Sequence, residues 1–307
     1  MEPAGPIILL LICLIIGMLL QRVRAFPDNT HIALNQYVIY IALPALGLIH
    51  IPAVDLRPDL FFPIAVSWLV FFFSILFFKI LAQYLQFSRT TTGCLILTGG
   101  LGNTAFVGFP VIEALFGAEG MQMAFMVDQP GTFVVVSVFG MVIVGMFGPE
   151  KVRKRKMLQH VITFPPFIVF LIALCMNIFG FRATGTGLDI LNTFAATLTP
   201  IALISVGFQL KWSSLGSDLS PMAWGLSYKL LMAPLLLFLL YVIVLGGQGL
   251  IVQVSLIQAA MPPMITGAIL ASTYGLNPRL ASLMVGIGVP LSAITITLWY
   301  FFLMWST

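Results

Sequence analysis

Ten stretches of this chain are long and apolar enough to cross a lipid bilayer, and that pattern decides most of what it can fold into. An α-helix rises about 1.5 Å per residue, so a hydrocarbon core about 30 Å thick takes roughly 20 apolar residues. The runs are 6–20, 32–51, 59–80, 92–117, 121–148, 161–180, 190–210, 219–245, 250–275 and 280–304. Lipid offers no hydrogen bonds to a bare backbone, so each run is expected to be helical. The expected fold class is an all-α integral membrane protein with ten transmembrane helices. Charge is correspondingly scarce: 8% of residues are charged, where a soluble domain carries about 25%. A soluble enzyme, a nucleic-acid binder and a disordered chain are thereby excluded.

Basic residues set the expected orientation. Residues 149–156 read Pro-Glu-Lys-Val-Arg-Lys-Arg-Lys, which places the loop after the fifth span in the cytoplasm. Alternation then puts Arg22, Arg24, Lys79, Arg89, Lys211 and Arg279 on the same side, and only Arg57 and Arg182 opposite. Both termini are expected to face outward, in a multi-pass protein of the cell (inner) membrane. The first run lacks a basic start and an Ala-x-Ala cleavage site, and Arg22 and Arg24 follow it, so it is expected to be a retained helix.

Five spans per half place the halves in opposite senses, as in an inverted repeat. The expected halves are 1–150 and 151–307. Leu34-Asn35 with Pro44-Ala45-Leu46 has a counterpart in Leu191-Asn192 with Pro200-Ile201-Ala202-Leu203. An offset of 158 pairs Phe116-Gly117 with Tyr274-Gly275, and Met126-Val127 with Met284-Val285.

The fourth and ninth spans are the unusual ones. The fourth contains Gly99, Gly100, Gly102, Asn103, Thr104, Gly108 and Pro110, and the ninth contains Gln258, Pro262, Pro263 and Thr266. Two adjacent prolines remove two N–H donors and disfavour helix at the preceding residue. Both spans are expected to break and to cross, since the same offset sets Asn103-Thr104-Ala105 against Met261-Pro262-Pro263. Half-helix N-termini present free N–H groups and positive dipole ends, which suit an anion. Asn103 adds a side-chain donor, so the expected ligand is a carboxylate.

At these clusters the chain resembles the auxin efflux carrier family. Gly102-Asn103-Thr104-Ala105-Phe106-Val107-Gly108-Phe109-Pro110 is similar to that family's Asn-Thr-x-x-x-Gly-x-Pro stretch. Residues Gln258 to Tyr274, continuing through Asn277-Pro278 to Val289-Pro290, resemble its last two helices. The resemblance implies a scaffold of spans 1, 2, 6 and 7 and a transport unit of spans 3–5 and 8–10. It also implies a small organic anion as substrate. The short central loop is like that of the compact bacterial members, several of which are linked to malonate or malate. Substrate-binding candidates are Asn103, Thr104, Gly108, Pro110, Gln258, Pro262, Pro263 and Thr266. The lipid bilayer is an expected partner, nucleic acid is not, and a homodimer stays open.

Three ionisable residues fall within spans: Glu113, Asp128 and Lys229. A charge in a membrane costs about 2.5 kcal/mol or more at the helix centre, so each is a functional candidate. By helical rise Glu113 lies about 6 Å from the outer end of its span, Asp128 about 10 Å and Lys229 about 15 Å. Asp128 and Lys229 are candidates for an ion pair or for a proton-sensitive coupling switch.

No acid is expected at either break, which favours an organic anion over a cation as cargo. The rival readings are a sodium- or proton-coupled carrier of the related bile-acid or exchanger architecture, and a membrane sensor. An intramembrane aspartyl protease needs two facing carboxylates, whereas the position 158 residues beyond Asp128 is Gly286. No catalytic residue, cofactor or metal site is expected. His31, His50 and His160 form no HExxH motif, and Cys13, Cys94 and Cys175 read as packing residues.

Overall fold

The computed structural model describes residues 4–149, 165–210 and 218–306, with side chains from residue 11 onward. Among the described residues every regular element is helical. Six stretches of the described residues are long and apolar enough to cross a membrane. They are α2 (Thr30–Ala53), α3 (Pro58–Leu85), α5 (Gly108–Phe147), α7 (Gly185–Gln209), α8 (Leu219–Val244) and α11 (Pro278–Ser306). Shorter helices are α1 (Ala4–Leu20), α4 (Arg89–Gly100), α6 (Pro165–Ile178), α9 (Leu250–Ala259) and α10 (Ile265–Thr273). The basic loop at 149–160, which carries the orientation, lies outside the described residues apart from Pro149, as does Lys211.

Local chemistry accounts for the ends and interruptions. Ser88 caps α4 by accepting from the Thr91 N–H at 3.1 Å, which satisfies one of the helix's free donors. α3 ends at Gln86, in the left-handed region at φ 56°. Gly117 lies at φ 62°, ψ −155° and breaks the 40-residue stretch of α5, near the expected end of the fourth span at 117. α7 starts at Gly185, earlier than the expected 190, and a turn at Ala196-Thr197 divides it. Pro200 explains the division, because it has no N–H to offer the Ala196 carbonyl and is tolerated in the first turn that follows.

The chain forms two compact units. Unit 1 comprises Met1–Pro58, Ala105–Phe125 and Ile162–Leu210. It holds α1, α2, α6, α7 and the start of α5. In it α1 and α7 touch backbone to backbone. A Cβ on Gly207 would strike the Leu14 carbonyl, and one on Gly17 the Ile204 carbonyl. Gln21 Nε2 donates to the carbonyls of Gly207 (3.1 Å), Phe208 (2.7 Å) and Leu210 (3.0 Å) at the end of α7. Asn177 does the same for α2, reaching Ile51 (3.1 Å), Pro52 (3.1 Å) and Val54 (2.7 Å). Both amides satisfy carbonyls that a helix end leaves bare.

Unit 2 comprises Asp59–Thr104, Met126–Val161 and Lys211–Thr307. It holds α3, α4, the rest of α5 and α8–α11. Pro234 in α8 frees the Leu230 carbonyl, and the Trp299 indole N–H fills it at 3.0 Å. Tyr228 and Tyr241 donate to the Val70 and Phe62 carbonyls at 2.6 and 2.8 Å, tying α8 to α3. Asn277, at φ 48°, caps α11 at the Leu280 N–H (3.1 Å) and donates to Asp218 at 2.9 Å. Asp218 also pairs with Arg279 at 3.5 Å.

Candidate functional site

The fourth and ninth spans both break, at the residues their glycines and prolines single out. α4 stops at Gly100 and helix resumes at Gly108; α9 stops at Ala259 and α10 starts at Ile265. The breaks then serve one another in unit 2. Gly102 and Pro263 face each other as an antiparallel bridge. The Asn103 N–H donates to the Pro262 carbonyl at 2.8 Å, and the Met264 N–H to the Leu101 carbonyl at 3.0 Å. Backbone freed in a lipid-covered protein has to find such partners. Prolines suit this pairing, since here only the Pro262 carbonyl is asked for.

Each break holds one buried ionisable residue. Lys229 is 1% exposed, and its Nζ donates to the Ala259 carbonyl at 2.6 Å, at the C-terminal end of α9. A helix C-terminus is the negative end of its dipole, so a cation belongs there. The same Nζ stands 3.2 Å from where a Cβ on Gly102 would lie. Glycine at 102 therefore leaves room for the ammonium.

Asp128 is 5% exposed and sits at the other break. The Thr104 hydroxyl donates to its Oδ1 at 2.6 Å, and Gln129 Nε2 donates to Oδ2 at 2.7 Å. This corrects the expectation that no acid stands at either break. Thr104 Oγ1 lies 2.9 Å from Thr132 Oγ1, which lies 2.6 Å from Ser67 Oγ. Gln258 Nε2 donates to the Thr104 carbonyl at 3.3 Å. The Oε1 atoms of Gln129 and Gln258 are buried and have no partner among the described residues.

Asp128 and Lys229 do not form an ion pair: each is held by other groups. Asp128–Phe133 and Tyr228–Met232 are π-helical turns, and the wider turn re-aims the side chains it carries.

The other candidates are dispersed. Gly108 and Pro110 begin α5 and belong to unit 1, Pro110 in the first turn, where a missing N–H costs little. Glu113, also in unit 1, is exposed and accepts from the Thr199 hydroxyl at 3.0 Å. Thr266 is exposed on the first turn of α10. Ser67 and Thr132 are not legible as site residues in the sequence, where hydroxyls in apolar runs look like packing groups. The signal for Thr132 was the Asp-Gln-Pro-Gly-Thr run that begins at Asp128.

A model of the membrane transport protein family matches residues 4–300. The chain belongs to that family. It is the auxin efflux carrier family that the helix breaks resemble. An uncharacterized transporter of Methanocaldococcus jannaschii is 26% identical over 309 residues, covering 97% of this chain and 98% of the relative. An uncharacterized transporter of Methanothermobacter thermautotrophicus is 26% identical over 292 residues, covering 94% of each.

Proposed function

We propose that the protein is a secondary active transporter of small organic anions, mono- or dicarboxylates such as malonate, malate or auxin-like acids. The carboxylate binds at the paired breaks of the fourth and ninth spans. The observation that carries this reading is the convergence of Asn103, Thr104, Gln258 and Lys229 on two breaks that bond each other through backbone. Such a place offers amides, a hydroxyl and one cation to an anion, beside the acid Asp128, without stranding it in lipid.

Ten transmembrane helices in a 5+5 inverted repeat would build it, with both termini outside the cell membrane. Spans 1, 2, 6 and 7 act as scaffold, and unit 2 carries the substrate in an elevator-type alternating-access cycle. The substrate test is counterflow into proteoliposomes across a panel of mono- and dicarboxylates. Exchange of at least one acid is expected, and exchange of none overturns the substrate class. For orientation, a cysteine replacing Lys154 in a cysteine-free background should be shielded from an impermeant thiol reagent in intact cells. Labelling there reverses the topology.

A further inference from the structure

Asp128 ends a chain of hydroxyls whose protons can be counted. From Asp128 Oδ1 the contacts run to Thr104 (2.6 Å), to Thr132 (2.9 Å), to Ser67 (2.6 Å) and to the Val127 carbonyl (3.3 Å). That is four links. Three hydroxyls supply three protons. With Asp128 ionised, every arrangement leaves one link without a proton. With one proton on Asp128, all four fill in a single direction: Asp128 donates to Thr104, Thr104 to Thr132, Thr132 to Ser67, and Ser67 to Val127. Oδ2 goes on accepting from Gln129. The same atoms therefore accommodate both states of the carboxyl, and the hydroxyls reverse direction between them.

The separations suit a proton better than a metal ion. Oxygens 2.6 Å apart share a hydrogen. Oxygens around a hard cation stand about 2.3–2.6 Å from the ion and hence farther from one another.

Charge counting gives the link to transport. Among the described residues of unit 2, the buried ionic side chains are Asp128, Lys229 and Asp218, and Asp218 has Arg279. Among the described residues the groups that hydrogen-bond Asp128 are the uncharged Thr104 and Gln129. The break brings Thr104, and α3 brings Ser67 and Trp68, with Asp59 and Lys79 near its two ends. α5 itself brings Gln129 and Thr132, and α9 reaches the break through Gln258. Without substrate, ionised Asp128 balances Lys229. A singly charged carboxylate bound at the breaks would leave one uncompensated negative charge, which is costly in a dry interior. One proton on Asp128 restores neutrality, leaving the substrate anion balanced by Lys229.

We infer that Asp128 is a proton-binding site, and that the carrier takes up one proton there with each singly charged carboxylate. The proton comes from the aqueous side that the site faces, adds to the carboxylate, and leaves on the other side with the acid. No other bond changes. This rests on the carboxylate-transport reading above.

Two measurements on the full chain in proteoliposomes test it. The first needs no substrate: an infrared pH titration follows the C=O band of a protonated carboxyl. The band is expected in the parent and absent in Asp128→Asn. Thr104→Val and Ser67→Ala, which keep the acid, should shift the pH of its appearance by about one unit. If the parent and Asp128→Asn give the same bands, the proposal is overturned. The second follows radiolabelled pyruvate and malonate under an imposed gradient. One pH unit should support about tenfold accumulation of singly charged pyruvate in the parent, and none in Asp128→Asn. Accumulation by the variant equal to the parent's, or accumulation that follows a sodium gradient and ignores pH, overturns the proposal. If neither acid exchanges, the choice of substrate has failed, and the infrared titration decides the proton site alone.

Discussion

The two helix interruptions share a backbone plan and differ in chemistry. At each, a helix stops, a short extended piece bonds the other break, and helix resumes. Yet the first is met by an acid and hydroxyls through Thr104, and the second by an ammonium on the Ala259 carbonyl. The matched positions do not repeat these groups. At the offset of 158, Asp128 corresponds to Gly286, Thr104 to Pro262, Asn103 to Met261, and Lys229 to Phe71. Two like breaks thus carry unlike side chains, and those side chains supply the polarity.

The largest effect is expected where the second break loses its cation. Lys229→Met leaves the Ala259 carbonyl without its donor, a loss of about 1.5–3 kcal/mol for a bond from a charged group. Thermal unfolding in detergent should register it, and counterflow of any carboxylate should vanish with the cation. Asp128→Asn should cost less stability, because an amide oxygen still accepts from Thr104. Equal losses from the two variants would show that the breaks are not specialised as described.

Next in size is the contrast between Asn103 and Met261. If the Asn103 amide donates to the substrate carboxylate, Asn103→Ala should weaken binding by about 1.5–3 kcal/mol, roughly ten- to a hundredfold in half-saturation. Met261→Ala, at the matched position, offers no donor to lose and should leave half-saturation within about threefold. Similar shifts from both would mean that packing at the crossing, and not hydrogen bonding, sets affinity.

The breaks themselves were legible in the sequence because glycine and proline act locally. Inside a long run, Pro262-Pro263 leaves two carbonyls without helical donors, and a run such as 59–80 has little choice but helix in lipid. The meeting of Asp128 with Thr104 was not legible. The two are 24 residues apart, and Asp128 opens a π-helical turn. A count at 3.6 residues per turn assigns the wrong face to a side chain inside such a turn. The same holds for Lys229, whose expected partner was an acid and whose actual partner is a carbonyl. The membership of units was hidden for a related reason. Residues 105–125 group with α1, α2, α6 and α7, and the chain changes unit at Thr104, inside a break that sequence alone reads as one site.

The finest test sets Gly102 against Ala260, which the offset of 158 makes equivalent. Position 260 already carries a Cβ and is fully buried. Position 102 does not, and a Cβ there would lie 3.2 Å from Lys229 Nζ and 3.4 Å from its Cε. Gly102→Ala should therefore push the ammonium off the Ala259 carbonyl, with an overpacking cost of about 1–3 kcal/mol and a fall in counterflow. Ala260→Gly should cost only about 0.5–1 kcal/mol, from backbone freedom in the unfolded chain and one lost methyl, and should leave counterflow near the parental rate. The difference between these two single-methyl changes isolates the space that Lys229 occupies. If adding a methyl at 102 is as mild as removing one at 260, Lys229 is not confined by the first break. Its hold on Ala259 would then be independent of where the two breaks meet.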